Sequence, residues 1–511
     1  MPHDVSVLPQ EYTRAVHHGI PVLTADIPVG FTGRLTLGVG KRDETARTAG
    51  ISHLVEHLVM RQVTRLPVPH NATTGDDSVE FFASGAPDQV ADFLNRVAAA
   101  IRGLSDVTAA DVARERKTIV SELGEDDETT GRGPLLDRYG TQSFGLLDLG
   151  QPAHRTHTPE MVAEFAQRWL HAGNAVLSFT GPVPENLDVE LPAARERTPD
   201  EDPLPLAGRE RGWVTNFGQP AAFSLIVDGP REVRSAFAWC LEETLFDELR
   251  VDANLIYSVD AYTGLLRGER RILAMVLDPS EEDVERTAIA ATRVLRRLAA
   301  EGPSDEVLAR IREQLRAAVS DPSYRAEILT SKAAELARHG MLTPDDVSFE
   351  KVTADDVREV AARALPTLLW SLAREELEEA TAQELDLPDV STRSELAELP
   401  KREMFRRLMK AEILSPRWGT GLRGTDLIID EERIVVAHKE GIVDVPFRSL
   451  VLAGVCSDED CGHWDLTTAD GGGMLFHPKA WRGAEKAVRM LEARVPAEIR
   501  YSLSEDAAPT A

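Results

Sequence analysis

Three observations predict an α+β fold: two duplicated lobes of antiparallel-rich sheet with helices, followed by a small β-rich tail. Residues 12–181 and 222–373 each run through strands, a helix, more strands, long helices and a final strand, although the two stretches share little residue identity. A Pro- and charge-rich stretch, Pro192 to Arg211, lies between them and has linker composition. Beyond Leu387 the helical periodicity gives way to short, closely spaced strands. The expected division is an N-terminal lobe over 1–195, a linker over 196–212, a C-terminal lobe over 213–387 and a tail over 388–511.

In the first lobe, the stretches around Arg14–Leu23 and Gly33–Gly40 read as paired strands turned by Pro and Gly near Pro28 and Gly30. Ile51, Leu54 and Leu58 then recur at helical spacing. A turn and strand follow over 71–83. Val90, Phe93, Leu94, Val97 and Ile101 form one face of the next helix. Another helix opens at Thr108 with an acidic first turn and runs through Val112, Ile119 and Leu123. A helix over 159–171 and a strand over 174–181 close the lobe.

The second lobe is expected to open on a strand at Ala222–Val227 and a helix at Arg231–Arg250. A hairpin around Tyr257–Val276, three or four helices and a strand at Leu368–Ala373 follow. In the tail, short strands near Asp426, Arg433, Ile442, Ser449 and His463 predict one curled sheet capped by an amphipathic helix from Trp481 to Leu491. The last residues, Glu505–Ala511, are expected to be disordered.

Composition narrows the function. With 42% hydrophobic and 28% charged residues in 511, the chain is that of a soluble globular protein of several domains. A formal charge of -28 argues against binding to nucleic acid and against anionic membranes. No run of about 18 apolar residues predicts a membrane span. The N-terminus lacks a signal-peptide pattern. Three cysteines, Cys240, Cys456 and Cys461, are too few for a disulfide framework. A cytoplasmic location is the expectation.

Chemistry concentrates in His53-Leu-Val-Glu56-His57. On a helix, positions four apart share a face, so both imidazoles point one way and can take two corners of a zinc tetrahedron. Glu56 lies close enough to act on a water at such an ion. The pattern H-x-x-E-H is the inverse of H-E-x-x-H. A catalytic zinc site needs a third ligand, a carboxylate or imidazole on another rigid element. The helix Val107–Gly124 offers Glu115 and Glu122, seven residues apart and therefore on one face.

Taken together, His53-x-x-Glu56-His57, Glu115-Arg116 and Glu122 resemble the inverted-motif zinc peptidases of the pitrilysin, insulysin and mitochondrial processing peptidase family. The resemblance covers roughly residues 12–375. It implies that His53, His57 and Glu122 ligate Zn2+, that Glu56 is the general base, and that Glu115 orients a ligand. Arg42-Asp43-Glu44 before the motif fits the family. Asn71, Ala72 and Thr74 resemble its substrate-binding strand edge. Arg250 and Tyr257 resemble its pair that grips substrate and polarises the scissile carbonyl. The segment between His57 and Asn71 is shorter than is usual in the family, so a helix after the motif is expected to be trimmed or lost. The tail resembles a pleckstrin-homology-like domain, with a protein-docking or dimer-bracing role expected rather than lipid binding.

The resemblance further implies a zinc metalloendopeptidase acting on peptides or unstructured segments inside a dimeric chamber, with Arg250 and Tyr257 supplied by the partner. Both a homodimer and a heterodimer with a related chain are open. So are processing of a precursor or leader peptide, general oligopeptide degradation, and a non-catalytic scaffold of the same fold. Cys456, Cys461 and His463 fit no strong zinc template, and a polar hairpin loop is expected there.

Overall fold

The structure is a computed structural model, and it describes residues 12–63, 66–123, 133–152, 154–195, 202–216, 218–268, 270–342, 349–392, 411–438, 441–456 and 462–503. The first lobe carries β1 (Thr13–His17), β2 (Ile20–Thr24), β3 (Thr32–Leu37), β4 (His70–Thr74), β5 (Val79–Ser84) and β6 (Ala175–Phe179). They form one sheet in the order β1-β2-β6-β3-β5-β4, in which β2 and β6 run parallel and β4 is an outer strand. Its helices are α1 (Ile51–Gln62), α2 (Pro87–Arg102), α3 (Ala109–Leu123), α4 (Pro134–Tyr139), α5 (Gly145–Leu149) and α6 (Pro159–Trp169). Leu35, Leu37 and Phe81 of the sheet bury one face against Leu54, Val55 and Leu58 of α1 and Phe93, Leu94 and Val97 of α2. Among the described residues, α1 gives way to β4 with no second helix between them, as the shortened segment predicted.

The second lobe carries β7 (Gly212–Thr215), β8 (Ala221–Asp228), β9 (Ile256–Leu265), β10 (Arg270–Pro279) and β11 (Leu369–Leu372), in the order β7-β11-β8-β10-β9. Its helices are α7 (Arg231–Leu245), α8 (Val284–Glu301), α9 (Asp305–Ser320), α10 (Pro322–His339), α11 (Ala354–Ala364) and α12 (Glu379–Leu385). Strand for strand, β7-β11-β8-β10-β9 repeats β2-β6-β3-β5-β4, including the one parallel pair at the same place. The duplication thus survives in topology. The helix expected over 231–250 ends as α7 at Leu245, and the chain continues as a wider π-helical stretch, Phe246–Asp252. Such wide turns recur at functional sites.

Each lobe lends helices to the other. Leu329, Ala333, Leu336 and Ala337 of α10 pack on the back of the first sheet, against Leu23, Ala25, Ile27 and Val176. Leu135 and Tyr139 of α4 and Phe144 before α5 pack on the back of the second, against Leu266, Ile272 and Ala274. Gly38 allows the first of these contacts, since a Cβ there would stand 2.3 Å from the Ala337 carbonyl oxygen. Charge reinforces the junction: Arg338 of α10 pairs with Asp43, and Arg42 donates to the Leu265 carbonyl at 2.7 Å and pairs with Asp77. The guanidinium of Arg138, fully buried on α4, donates to Ser224 of β8 and to the carbonyl of Thr367.

In the tail the single curled sheet becomes two. β12 (Glu412–Leu414), β13 (Asp426–Ile429), β14 (Arg433–His438) and β15 (Gly441–Pro446) form one four-stranded sheet. β16 (Leu450–Val455), β17 (Trp464–Thr468), β18 (Gly473–Phe476) and β19 (Arg500–Ser502) form the other, in the order β18-β17-β16-β19. The break falls at Pro446, which has no N–H for a ladder and leads into a short 3-10 turn. β19 joins β16 in parallel and was not foreseen, because three residues between charges carry no strand signal. The capping helix is α13 (Ala484–Arg494), whose Ala484, Ala487 and Leu491 close a core with Leu427, Ile434 and Trp464. The tail rests on the first lobe: Leu452 and Tyr501 pack with Leu136, Leu146 and Leu149, and the Thr141 N–H donates to the Ala469 carbonyl at 2.9 Å. Residues 504–511 lie outside the described residues. Among the described residues no helix is long and apolar enough to cross a membrane.

Candidate metal centre

α1 starts sharply. Gly50 sits at φ 90°, a left-handed conformation suited to glycine, and a Cβ there would meet the Gln151 side chain at 2.3 Å. The helix cap comes from the loop before it. The buried carboxylate of Glu44 accepts from the backbone N–H of Gly50 at 2.7 Å and of Ser52 at 2.9 Å, and from the Ser52 hydroxyl. These are N–H groups that a helix start leaves unpaired, and a negative group there also suits the helix dipole. Leu54, Val55, Leu58 and Val59 face the core, which turns His53, Glu56 and His57 to the half-buried side.

Burial pushes the Glu44 carboxyl up to about 7, with the Ser52 and Gly50 hydrogen bonds opposing. The folded chain therefore holds a proton between pH 4.5 and 7 that the unfolded chain releases. This contribution to stability is full below pH 4.5 and is lost as pH rises through 7. For the metal-free chain, the urea stability of wild type should fall between pH 5 and pH 8 by up to about 3 kcal/mol more than that of Glu44→Gln. Parallel pH profiles for the two chains would refute the assignment.

His53 Nε2 and His57 Nε2 stand 3.2 Å apart, and His57 Nε2 lies 3.2 Å from Glu122 Oε2 on α3. One donor atom from each of the three falls within 4.8 Å of the others, and among the described residues no other three His, Cys, Asp or Glu side chains converge so closely. Zinc bonds of about 2.0–2.1 Å at tetrahedral angles place ligand atoms about 3.3 Å apart. The His53–His57 and His57–Glu122 spacings match that value, so these three residues would hold a zinc ion.

The surrounding residues orient this set. Glu115 is buried beside His57, its Oε2 3.7 Å from Nδ1, the ring nitrogen that faces away from the donor cluster. Its other oxygen lies 3.4 Å from Arg61, which also reaches Asp111 at 3.0 Å. A carboxylate at that place favours the His57 tautomer that keeps Nε2 free to ligate. Glu56 is half-buried, and its Oε2 accepts from the Thr74 hydroxyl of β4 at 2.6 Å. Burial raises its pKa, while the Thr74 hydrogen bond and His57 oppose the rise.

Of the residues expected on the substrate strand, Asn71 is exposed, Ala72 faces the core, and Thr74 directs its hydroxyl to Glu56. Arg250 and Tyr257 do meet: the guanidinium lies 5.3 Å from the ring centroid, and Arg250 donates to Asn254 at 3.0 Å. Among the described residues neither forms a hydrogen bond or ion pair with His53, Glu56, His57 or Glu122 of the same chain. The sequence singled out Glu44 only as part of Arg42-Asp43-Glu44 and not as the cap of α1, and it gave Arg61 no role, since a cation in the last turn was its only signal. Cys461 lies outside the described residues. Cys456 is buried, and the His463 ring packs against His477 at 5.1 Å.

The two-lobe topology is shared with solved peptidase structures. Residues 228–315 match the family described as "Peptidase M16 inactive domain". The chain is 25% identical over 186 residues to an "Uncharacterized zinc protease" of Rickettsia felis; the match covers 32% of this chain and 45%, less than half, of that relative. A protease from Helicobacter pylori superposes with a TM-score of 0.57 at 14% identity, covering 71% of this chain and 99% of that one. Pitrilysin superposes with a TM-score of 0.51 at 15% identity, covering 73% of this chain and 46% of that one. The chain shares the two-lobe α+β fold of these peptidase structures, and its second lobe matches an M16 domain model. The matched stretch over 228–315 lies in the second lobe, away from the His/His/Glu cluster.

Proposed function

We propose that the chain is a zinc-dependent endopeptidase that cleaves peptides or unstructured segments in a chamber enclosed by two chains. The observation that carries this reading is the convergence of His53, His57 and Glu122 from two helices, with Glu56 beside them and steadied by Thr74. A bound zinc ion supplies Lewis acidity to water and to a peptide carbonyl. Every other part is the chain's own. Thr74 occupies one oxygen of Glu56, which leaves the second to take a proton from water and return it to the leaving amine. The outer edge of β4 can hold an extended peptide by main-chain hydrogen bonds.

Arg250 and Tyr257 serve the developing oxyanion from a second chain. Two observations support that assignment: the pair is assembled but makes no polar contact with its own chain's cluster, and it sits in an exposed apolar patch. Phe246 is 44% exposed, Val251 64% and Tyr257 73%. Such a patch suits burial against a partner. A homodimer is the simpler assembly, because one chain carries both halves of the site; a related chain would serve in a heterodimer. The buried thiol of Cys240 fits a cytoplasmic setting. Processing of a precursor peptide and general peptide degradation both fit this chemistry. The pleckstrin-homology-like tail, seated on α4 and α5, would brace the first lobe.

Mixing an Arg250→Ala chain with a Glu56→Gln chain tests the shared site. Random pairing makes half the dimers mixed, each with one intact site, so recovery should reach about a quarter of wild-type activity. Zinc content measured on the same samples separates the outcomes. No zinc and no cleavage would leave a scaffold, and no recovery in confirmed mixed dimers would place both residues in cis.

A further inference from the structure

The second lobe repeats the framework of the metal centre without its donors. α7, β9 and α9 hold the places in their sheet that α1, β4 and α3 hold in theirs. Laying Ile51 of α1 on Phe237 of α7 matches the buried apolar face of one helix with the buried face of the other: Leu54 with Cys240, Val55 with Leu241, Leu58 with Thr244 and Val59 with Leu245. The same register puts Trp239 where His53 stands, Glu242 where Glu56 stands and Glu243 where His57 stands. Laying Val112 of α3 on Leu308 of α9 likewise matches Glu115 with Ile311, Ile119 with Leu315 and Glu122 with Ala318. Both histidines and the Glu122 carboxylate are lost, the His57 position carries Glu243 instead, and only the Glu56 position keeps its residue.

What remains is a cavity of about 340 Å³, walled by Trp239, Phe246 and Tyr324 and floored in part by Leu315 and Ala318. That is the lower end of the range for ligand sites and suits a single side chain (about 300–1,000 Å³). Glu243, on its wall, is already paired with Arg310 at 2.8 Å, and Arg310 also binds Asp247 at 2.6 Å. The Glu242 carboxylate has no hydrogen-bond or ion-pair partner among the described residues. Burial and the nearby Asp260 and Glu243 raise its pKa, a sign that the site holds more negative charge than it neutralises. An unpaired carboxylate among three aromatic rings suits an elongated organic cation, which gains an ion pair and ring-face contacts together. Val259 of β9 also lines the cavity, and β9 is the outer strand of its sheet, so a peptide laid along that edge passes the opening.

We propose that this cavity is a recognition site for the basic side chain, Arg or Lys, of an extended peptide, held by Glu242 and the rings of Trp239, Phe246 and Tyr324. The site binds and does not cleave, and the inference rests on the peptide-substrate reading above. The test is equilibrium binding to the full chain carrying Glu56→Gln, read by fluorescence anisotropy. The probes are two fluorescein-labelled, N-acetylated, C-amidated decapeptides of Ala, Ser and Thr that differ only in a central Arg or norleucine. The Arg peptide should bind at least about five-fold more tightly. Glu242→Gln, which removes the charge, and Ala318→Phe, which fills the cavity, should each abolish that difference in chains shown by thermal melting to be folded. Equal binding of the two peptides by the parent overturns the proposal, as does a preference that survives either substitution. Because the readout is binding, absence of cleavage by the wild-type chain would sink the peptidase reading without touching this result.

Discussion

A Glu56→Gln chain should keep its zinc and lose its cleavage. Gln has the shape of Glu and can still accept the 2.6 Å hydrogen bond from Thr74, so the helix and its two histidines stay in place. The amide cannot take a proton at neutral pH, which removes general-base catalysis and lowers kcat by about 10²–10⁴-fold. His53, His57 and Glu122 are untouched, so zinc content should remain that of wild type. Parallel metal analysis and single-turnover cleavage of a quenched peptide decide the matter. Activity within ten-fold of wild type, at equal zinc, would mean that another group takes the proton. Loss of zinc with the substitution would mean that Glu56 belongs to the ligand shell.

Arg138→Met should be the most damaging single change away from the centre. The side chain is 0% exposed, and among the described residues no carboxylate forms an ion pair with it, Glu210 acting only at longer range. Its guanidinium donates instead to the Ser224 hydroxyl at 2.8 Å, to the Ser224 and Thr367 carbonyls at 2.9 and 2.6 Å, and to the Glu210 carbonyl at 3.3 Å. Burial lowers its pKa to about 10, so it stays charged at neutral pH. Methionine fills much of the space and supplies no donor, which strands those acceptors in a dry interior. The expected cost is about 3–5 kcal/mol. It should be read as a lowered urea midpoint together with loss of protease resistance near the β8 junction. A cost below about 1 kcal/mol would show that water replaces the guanidinium.

The metal centre was legible because its chemistry is written in helical periods. His53 and His57 are one turn apart, Glu115 and Glu122 two turns apart, and both spacings survive intact in α1 and α3. What holds those helices was not legible. Glu44 reaches Gly50 and Ser52 across a loop with no period, and Thr74 finds Glu56 only once β4 lies beside α1. The twin cavity was hidden for the opposite reason. With Trp239 and Glu243 in place of histidines, nothing in α7 resembles α1 until the shared strand order supplies the register. In the tail, strand propensity located most strands but could not say that Pro446 divides them between two sheets.

The exchange of helices between the lobes bears on how substrate could enter. If the lobes swung apart about the connection between them, α10 would leave the first sheet and α4 the second. That motion would wet two apolar faces and break the Arg338–Asp43 pair. The eight buried residues at the first of these faces make such a hinge expensive at about 1.5–3 kcal/mol for each large side chain uncovered. These contacts favour the two lobes of one chain staying together. In the proposed two-chain chamber, opening would then fall to the seam between chains, and turnover would depend on subunit affinity as well as on the chemistry at Glu56.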